Sequence, residues 1–149
     1  EDAYKFLKNK STTEHRFEKV EIINGTRFIN DSKSTNFHSV SSASERVKNA
    51  LLIMHGITKN IPTSELQLSN EIKKIIIPND MNLDHNLFHC EVEVIKSIFE
   101  LEDILKKDFQ RFETVLFSCG GSSFNDFENY IERGKFFKSI VKNLKGGQN

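Results

Sequence analysis

Apolar and polar positions follow two rhythms along this chain. Near the start, Phe17-Glu18-Lys19-Val20-Glu21-Ile22-Ile23 and Thr26-Arg27-Phe28-Ile29 flank Asn24-Gly25. That dipeptide accepts the positive φ angles of a two-residue turn, so the segment predicts a β-hairpin. Beyond it, short apolar runs recur: Ala50-Leu51-Leu52-Ile53-Met54, Lys74-Ile75-Ile76-Ile77 and Thr114-Val115-Leu116-Phe117-Ser118. Runs this short and this continuous suit strands buried on both faces, and Cys90 to Ile95 alternates enough to be another. Helices are expected over about 37–48, from Thr63-Ser64-Glu65 onward, over Ser97–Phe109 and over Asn125–Leu144, with a weak one in 79–89. Ile98, Leu101 and Leu105 share one helical face, as do Phe136, Phe137, Ile140, Val141 and Leu144. Pro78-Asn79-Asp80 and Gly146-Gly147 supply stops. A hairpin followed by repeated strand–helix units predicts an α/β domain, a Rossmann-like, mostly parallel six-stranded sheet with flanking helices.

A length of 149 residues suits one domain with a real core, and 37% hydrophobic with 28% charged residues is a globular composition. Basic and acidic residues balance at 21 each. That balance argues against nucleic acid or an anionic membrane as the main partner, since both need a basic surplus. No stretch approaches the roughly 20 apolar residues of a membrane span, and Glu1-Asp2-Ala3-Tyr4-Lys5 does not resemble a signal peptide. The expected compartment is therefore the cytoplasm, and the expected state a monomer. Cys90 and Cys119 read as free, buried thiols, and no Cys or His spacing suggests a metal site. Residues 1–15 are polar, with Ser11-Thr12-Thr13 at the centre, and read as a short helix followed by a linker.

Candidate chemistry lies in three loops, each following a predicted parallel strand: Asp31–Asn36, His55–Asn60 and Ser118–Phe124. In a doubly wound sheet such loops open on one edge, where strand carboxyl ends meet helix N-termini. Together they offer Asp31, Lys33, Thr35, Lys59, Ser122 and Ser123, a set suited to an anionic ligand. Plainer readings stand beside this one. Asp31 or Ser32 could simply cap the next helix, the lysines could be solvated surface groups, and Gly120-Gly121-Ser122-Ser123 could be only a tight turn. No G-x-x-x-x-G-K-[ST] phosphate loop occurs in these residues, and the five histidines show no nucleophile–base pattern.

Several of these residues resemble a known family. His15-Arg16-Phe17-Glu18, Asn24-Gly25 and Phe28-Ile29-Asn30-Asp31-Ser32-Lys33-Ser34-Thr35-Asn36 are similar to the start of the C-terminal domain of the Mur ligases, in the branch that adds D-glutamate. The match continues through Leu51-Leu52-Ile53, Lys59, Phe117-Ser118, Ser123-Phe124, Phe127, Asn129, Glu132-Arg133-Gly134 and Phe137. The resemblance implies that residues 16–149 are that C-terminal domain and 1–15 the linker from a central ATP-binding domain. It implies an ATP- and Mg2+-dependent, ADP-forming ligation of D-glutamate to UDP-N-acetylmuramoyl-L-alanine in peptidoglycan synthesis, with this chain alone inactive. By the same resemblance Arg16 and Asp31 meet the nucleotide, while Thr35, Lys59 and Ser123 hold the two carboxylates of D-glutamate. Phe124 and Tyr130 are neighbours of that site, and Lys33, the lysine of the motif, is placed with the D-glutamate residues. Departures fall in the loops. His55-Gly56-Ile57-Thr58 replaces a glycine-richer run, and Cys119-Gly120-Gly121-Ser122 replaces Pro-Ala-small-Ala and is expected to be more flexible. Asn125 stands for a common aspartate and Tyr130 for a common phenylalanine. Other readings are a stand-alone module binding a small dianion or nucleotide, and a Mur-type ligase domain for another amino acid.

Overall fold

The computed structural model describes residues 3–8 and 13–147, so the expected linker residues Ser11 and Thr12 lie outside the described residues. A short helix α1, Ala3–Lys8, precedes a hairpin of β1, Glu18–Ile23, and β2, Thr26–Asp31. There follow α2, Phe37–Ser44; β3, Ala50–His55; β4, Ile72–Pro78; β5, Glu91–Ile95; α3, Leu101–Asp108; β6, Thr114–Gly120; and α4, Tyr130–Gly146. The six strands form one sheet in the order β1-β2-β6-β3-β4-β5. β1 runs antiparallel to β2, and every other pairing is parallel. The α/β, Rossmann-like expectation therefore holds.

The hairpin forms as its turn chemistry requires, with Asn24 at φ 49° and Gly25 at φ 86°. Successive strand residues point to opposite faces, which divides the core in two. On one face Leu51, Ile53, Val115 and Phe117 pack under α3 and α4, where the Phe117 and Phe137 rings stack at 4.6 Å. On the other, Leu52, Met54, Leu116 and Ile75 pack with Phe37, Val40 and Ala43 of α2 and with Phe6 of α1. At the amino edge, Lys74 is buried within β4, whose other buried residues are apolar. It meets Asp108 at 2.6 Å and Glu93 at 2.8 Å, so the buried ammonium is paired.

Several element boundaries differ from the sequence expectation, for local reasons. Thr63–Glu65 is one 3-10 turn and no helix follows it, because the N–H groups of Gln67 and Ser69 bond to the hydroxyls of Ser41 and Ser44 on α2. The weak helix in 79–89 reduces to a 3-10 turn at His85–Leu87, capped by Asp84. The helix expected over Ser97–Phe109 is α only from Leu101 to Asp108, between 3-10 turns at Ile98–Glu100 and Phe109–Arg111. α2 stops at Ser44, whose hydroxyl turns back onto the Ser41 carbonyl. α4 starts at Tyr130, where the Asn129 side chain accepts from the Glu132 N–H. Cys119 is buried inside β6, and burial pushes its thiol up to about 12. Cys90 is only half-buried, contrary to expectation, because it precedes the edge strand β5. Among the described residues no helix is long and apolar enough to cross a membrane.

Candidate functional site

The strand order brings the three loops side by side. β6 lies between β2 and β3, so the segments after Asp31, Gly120 and His55 leave adjacent strands at one sheet edge. They are stitched to one another. Ile57 and Ser122 exchange two backbone hydrogen bonds of 3.0 Å, and the Gly120 N–H donates to the Ser34 carbonyl at 2.8 Å. Gly56, at φ +125°, lets the two backbones touch, since a Cβ there would lie 2.4 Å from the Ser122 oxygen. The Cys119–Ser122 segment is thus pinned on both sides. Its glycines serve this close approach.

Asp31 does not cap α2, and neither does Ser32. The cap is Asn36, whose side chain accepts from the Ser39 N–H. Asp31 instead accepts from the Phe17 N–H at 2.9 Å and from the Ser118 hydroxyl at 2.7 Å. It is almost fully buried, and desolvation raises its pKa against those hydrogen bonds. The bond to Phe17 holds Arg16 beside the end of β2. Arg16, Asp31 and Lys33 line a cavity of about 260 Å³, completed by Ser34, His38 and Arg46. The Arg46 guanidinium covers the Phe17 ring at 3.7 Å. Ser34 is buried there, and its hydroxyl has no protein partner.

A second cavity, about 650 Å³, adjoins the first and shares His38 with it. Thr35, Lys59 and Phe124 line it, with Ser122, Ile57 and Glu65. Lys59 is exposed and sits at φ +53°, a left-handed position that turns the loop. Phe124 is 71% exposed, so an apolar ring stands unburied at the cavity's rim. Of the residues expected at the amino acid, Thr35, Lys59 and Phe124 line the larger cavity, whereas Lys33 lines the smaller one beside Arg16 and Asp31, the residues expected at the nucleotide. Ser123 and Tyr130 line neither. Ser123 is buried, and its carbonyl accepts from the Asp126 and Phe127 N–H groups. Tyr130 is half-buried, its ring meeting the Lys33 ammonium at 5.6 Å and His15 edge-on at 6.2 Å.

Beneath the loops lies a polar knot that sequence reasoning missed. Arg133 of α4 is fully buried and bonds to Ser32, His55 and Gly121. His55, equally buried, holds Asp126 through Nε2 at 2.7 Å and faces the Arg133 guanidinium through Nδ1 at 3.2 Å. The Asp126 carboxylate accepts from Nε2, which places the proton of the neutral ring there and leaves Nδ1 bare toward the guanidinium. A signal was present: Arg133 lies four residues before Phe137, on the apolar stripe of α4, where a charge needs a buried partner.

Burial lowers the His55 pKa below the ordinary 6.5, with the bond to Asp126 opposing and the Arg133 charge reinforcing the shift. Between the folded value and 6.5 the unfolded chain binds more protons. Stability is therefore full above that range and falls as pH drops through it. His15, also lowered mainly by burial, acts in the same direction. Urea unfolding from pH 7 to 5 should show this slope, and His55→Asn should flatten it. An unchanged slope in the variant would mean that His55 does not carry it.

Comparison with known proteins finds relatives that align over most of this chain. The chain is 35% identical over 148 residues to a UDP-N-acetylmuramoylalanine–D-glutamate ligase of Thermosipho africanus, covering 96% of this chain and 35% of that protein. It is 35% identical to the enzyme of the same name from Thermosipho melanesiensis, covering 99% of this chain and 36% of that one. The Prochlorococcus marinus enzyme is 32% identical, over 85% of this chain and 29% of its own length. The chain is a Mur-ligase-related domain. It spans about a third of the length of the curated relatives it matches. No family model matches it. In this Mur-ligase-related domain the two cavities lie where the motif Asn30-Asp31-Ser32-Lys33-Ser34-Thr35-Asn36 leaves the sheet, with Asp31 and Lys33 on one and Thr35 on the other.

Proposed function

We propose that this chain is the C-terminal domain of an ATP-dependent, ADP-forming ligase that adds D-glutamate to UDP-N-acetylmuramoyl-L-alanine in bacterial peptidoglycan synthesis. Residues 1–15 would link it to a central ATP-binding domain, and the cytoplasm, which supplies ATP, would be its compartment. The observation that carries the reading is the pair of adjoining cavities, one lined by Arg16, Asp31 and Lys33 and the other by Thr35, Lys59 and Phe124. The smaller fits part of a nucleotide. Arg16 and Lys33 supply cations for phosphate, and the unpartnered Ser34 hydroxyl supplies a further hydrogen bond. The larger fits a dicarboxylic amino acid. Lys59 would take one carboxylate, and Thr35 with the Ser122–Ser123 segment would orient the other, leaving the amine free to attack.

ATP would supply the phosphoryl group that activates the acid partner as an acyl phosphate. Mg2+ fits the smaller cavity poorly. There Asp31 is the carboxylate, and both its oxygens already accept protein hydrogen bonds. Its ligands would therefore come from the central domain. This domain's part would be to bring D-glutamate and to close over the nucleotide, keeping water from the acyl phosphate.

The test is a ligation assay on the full-length protein. ADP release should require both the UDP-linked precursor and D-glutamate, with L-glutamate and diamino acids inactive as acceptors. The 149-residue chain alone should release none. Ligation by the chain alone would overturn the assignment of roles, and preference for a diamino acid would overturn the substrate.

A further inference from the structure

We propose that Arg133 is a positioning residue whose buried guanidinium sets the spacing of the three loops that receive the amino-acid substrate. Arg133 lines neither cavity, so it acts through the loops and not on a ligand. Its Nε donates to the Ser32 hydroxyl at 3.0 Å and its Nη2 to the Ser32 carbonyl at 2.7 Å. Its Nη1 donates to the Gly121 carbonyl at 2.9 Å and the His55 carbonyl at 3.1 Å, and faces His55 Nδ1 at 3.2 Å. Each bond ends just before a residue assigned to ligand: Ser32 precedes Lys33 and Thr35, His55 precedes Lys59, and Gly121 precedes Ser123.

Only a planar group with donors in several fixed directions can hold three backbones at once. A lysine ammonium keeps the charge but presents it as a point on a flexible stem. All of these acceptors are neutral, an expensive setting for a buried cation. The charge is balanced at one remove, through the imidazole of His55 to Asp126, which stands in the same loop as Ser123 and Phe124. The relay from Arg133 through His55 to Asp126 therefore ties the Lys59 loop to the Phe124 loop a second time. A helix anchored only by packing would need none of this, since Phe137, Ile140, Val141 and Leu144 already bury the face of α4.

The inference rests on the D-glutamate reading above, and the experiment separates the two. In steady-state assays on the full-length protein, beside thermal melts, Arg133→Lys should raise the D-glutamate KM at least tenfold and the ATP KM by a smaller factor. Of the three loops it holds, only the one at Ser32 also borders the smaller cavity. Asp126→Asn leaves the shape of the loop and removes only the balancing charge. It should move the D-glutamate KM in the same direction by a smaller factor, and it decides the matter if Arg133→Lys fails to fold. A fall in melting temperature with both KM values unchanged, or equal changes in both, would overturn the positioning role. Failure of the unsubstituted protein to use D-glutamate would instead overturn the functional reading.

Discussion

Gly56→Ala is expected to lower the unfolding free energy by about 3–5 kcal/mol, summing a strained positive φ with overpacking that cannot relax. The new methyl would meet the Ser122 carbonyl oxygen at 2.4 Å and the Gly121 carbonyl carbon at 2.6 Å. These are backbone atoms held by the Ile57–Ser122 bridge, so no side chain can swing aside. Gly25→Ala is the control. Gly25 also has positive φ, at +86°, but a Cβ there meets nothing within 4 Å. Its cost should be the conformational part alone, about 1–2 kcal/mol. The difference between the two, read from urea midpoints, isolates the contact between the Lys59 loop and the Ser123 loop. Equal costs would mean that the two loops are not packed backbone to backbone.

The hairpin and the buried strands were legible because their causes are local. Asn24-Gly25 carries its own turn chemistry, and the run from Ala50 to Met54 can be buried on both faces only in a sheet interior. The insertion of β6 between β2 and β3 was not legible, because strand order depends on contacts far apart in the chain. Helical expectations failed where a side chain from another element supplied the backbone partner, as Ser41 and Ser44 do for Gln67 and Ser69. At the site, the resemblance separated Arg16 and Asp31 from Thr35 and Lys59, which do line different cavities, but it put Lys33 with the D-glutamate residues, and Lys33 lines the cavity of Arg16 and Asp31. Spacing along the chain could not reveal that Ser123 turns into the protein while Ser122 lines the cavity. Nor could it reveal His55, whose value comes from Asp126 and Arg133, each more than 70 residues away.

Lys59→Ala in the full-length protein should raise the D-glutamate KM by about 10- to 150-fold, the loss of one charge-assisted hydrogen bond of about 1.5–3 kcal/mol. The substitution is clean for a geometric reason. Lys59 sits at φ +53°, and alanine keeps the Cβ, so the strain of the left-handed position is unchanged. Lys59→Met, which keeps the apolar stem against the Ile61 side of the cavity, should lose nearly as much, because charge and not packing holds the carboxylate. Thr35→Val removes a neutral donor and should cost only about fivefold, from a hydrogen bond of about 1 kcal/mol. The ATP KM should stay within about twofold in all three variants, since the nucleotide residues line the neighbouring cavity. A carboxylate held in the larger cavity requires this order of effects. Equal changes in the KM of both substrates would show instead that Lys59 serves closure of the whole site, and would move the amino acid out of the cavity it lines.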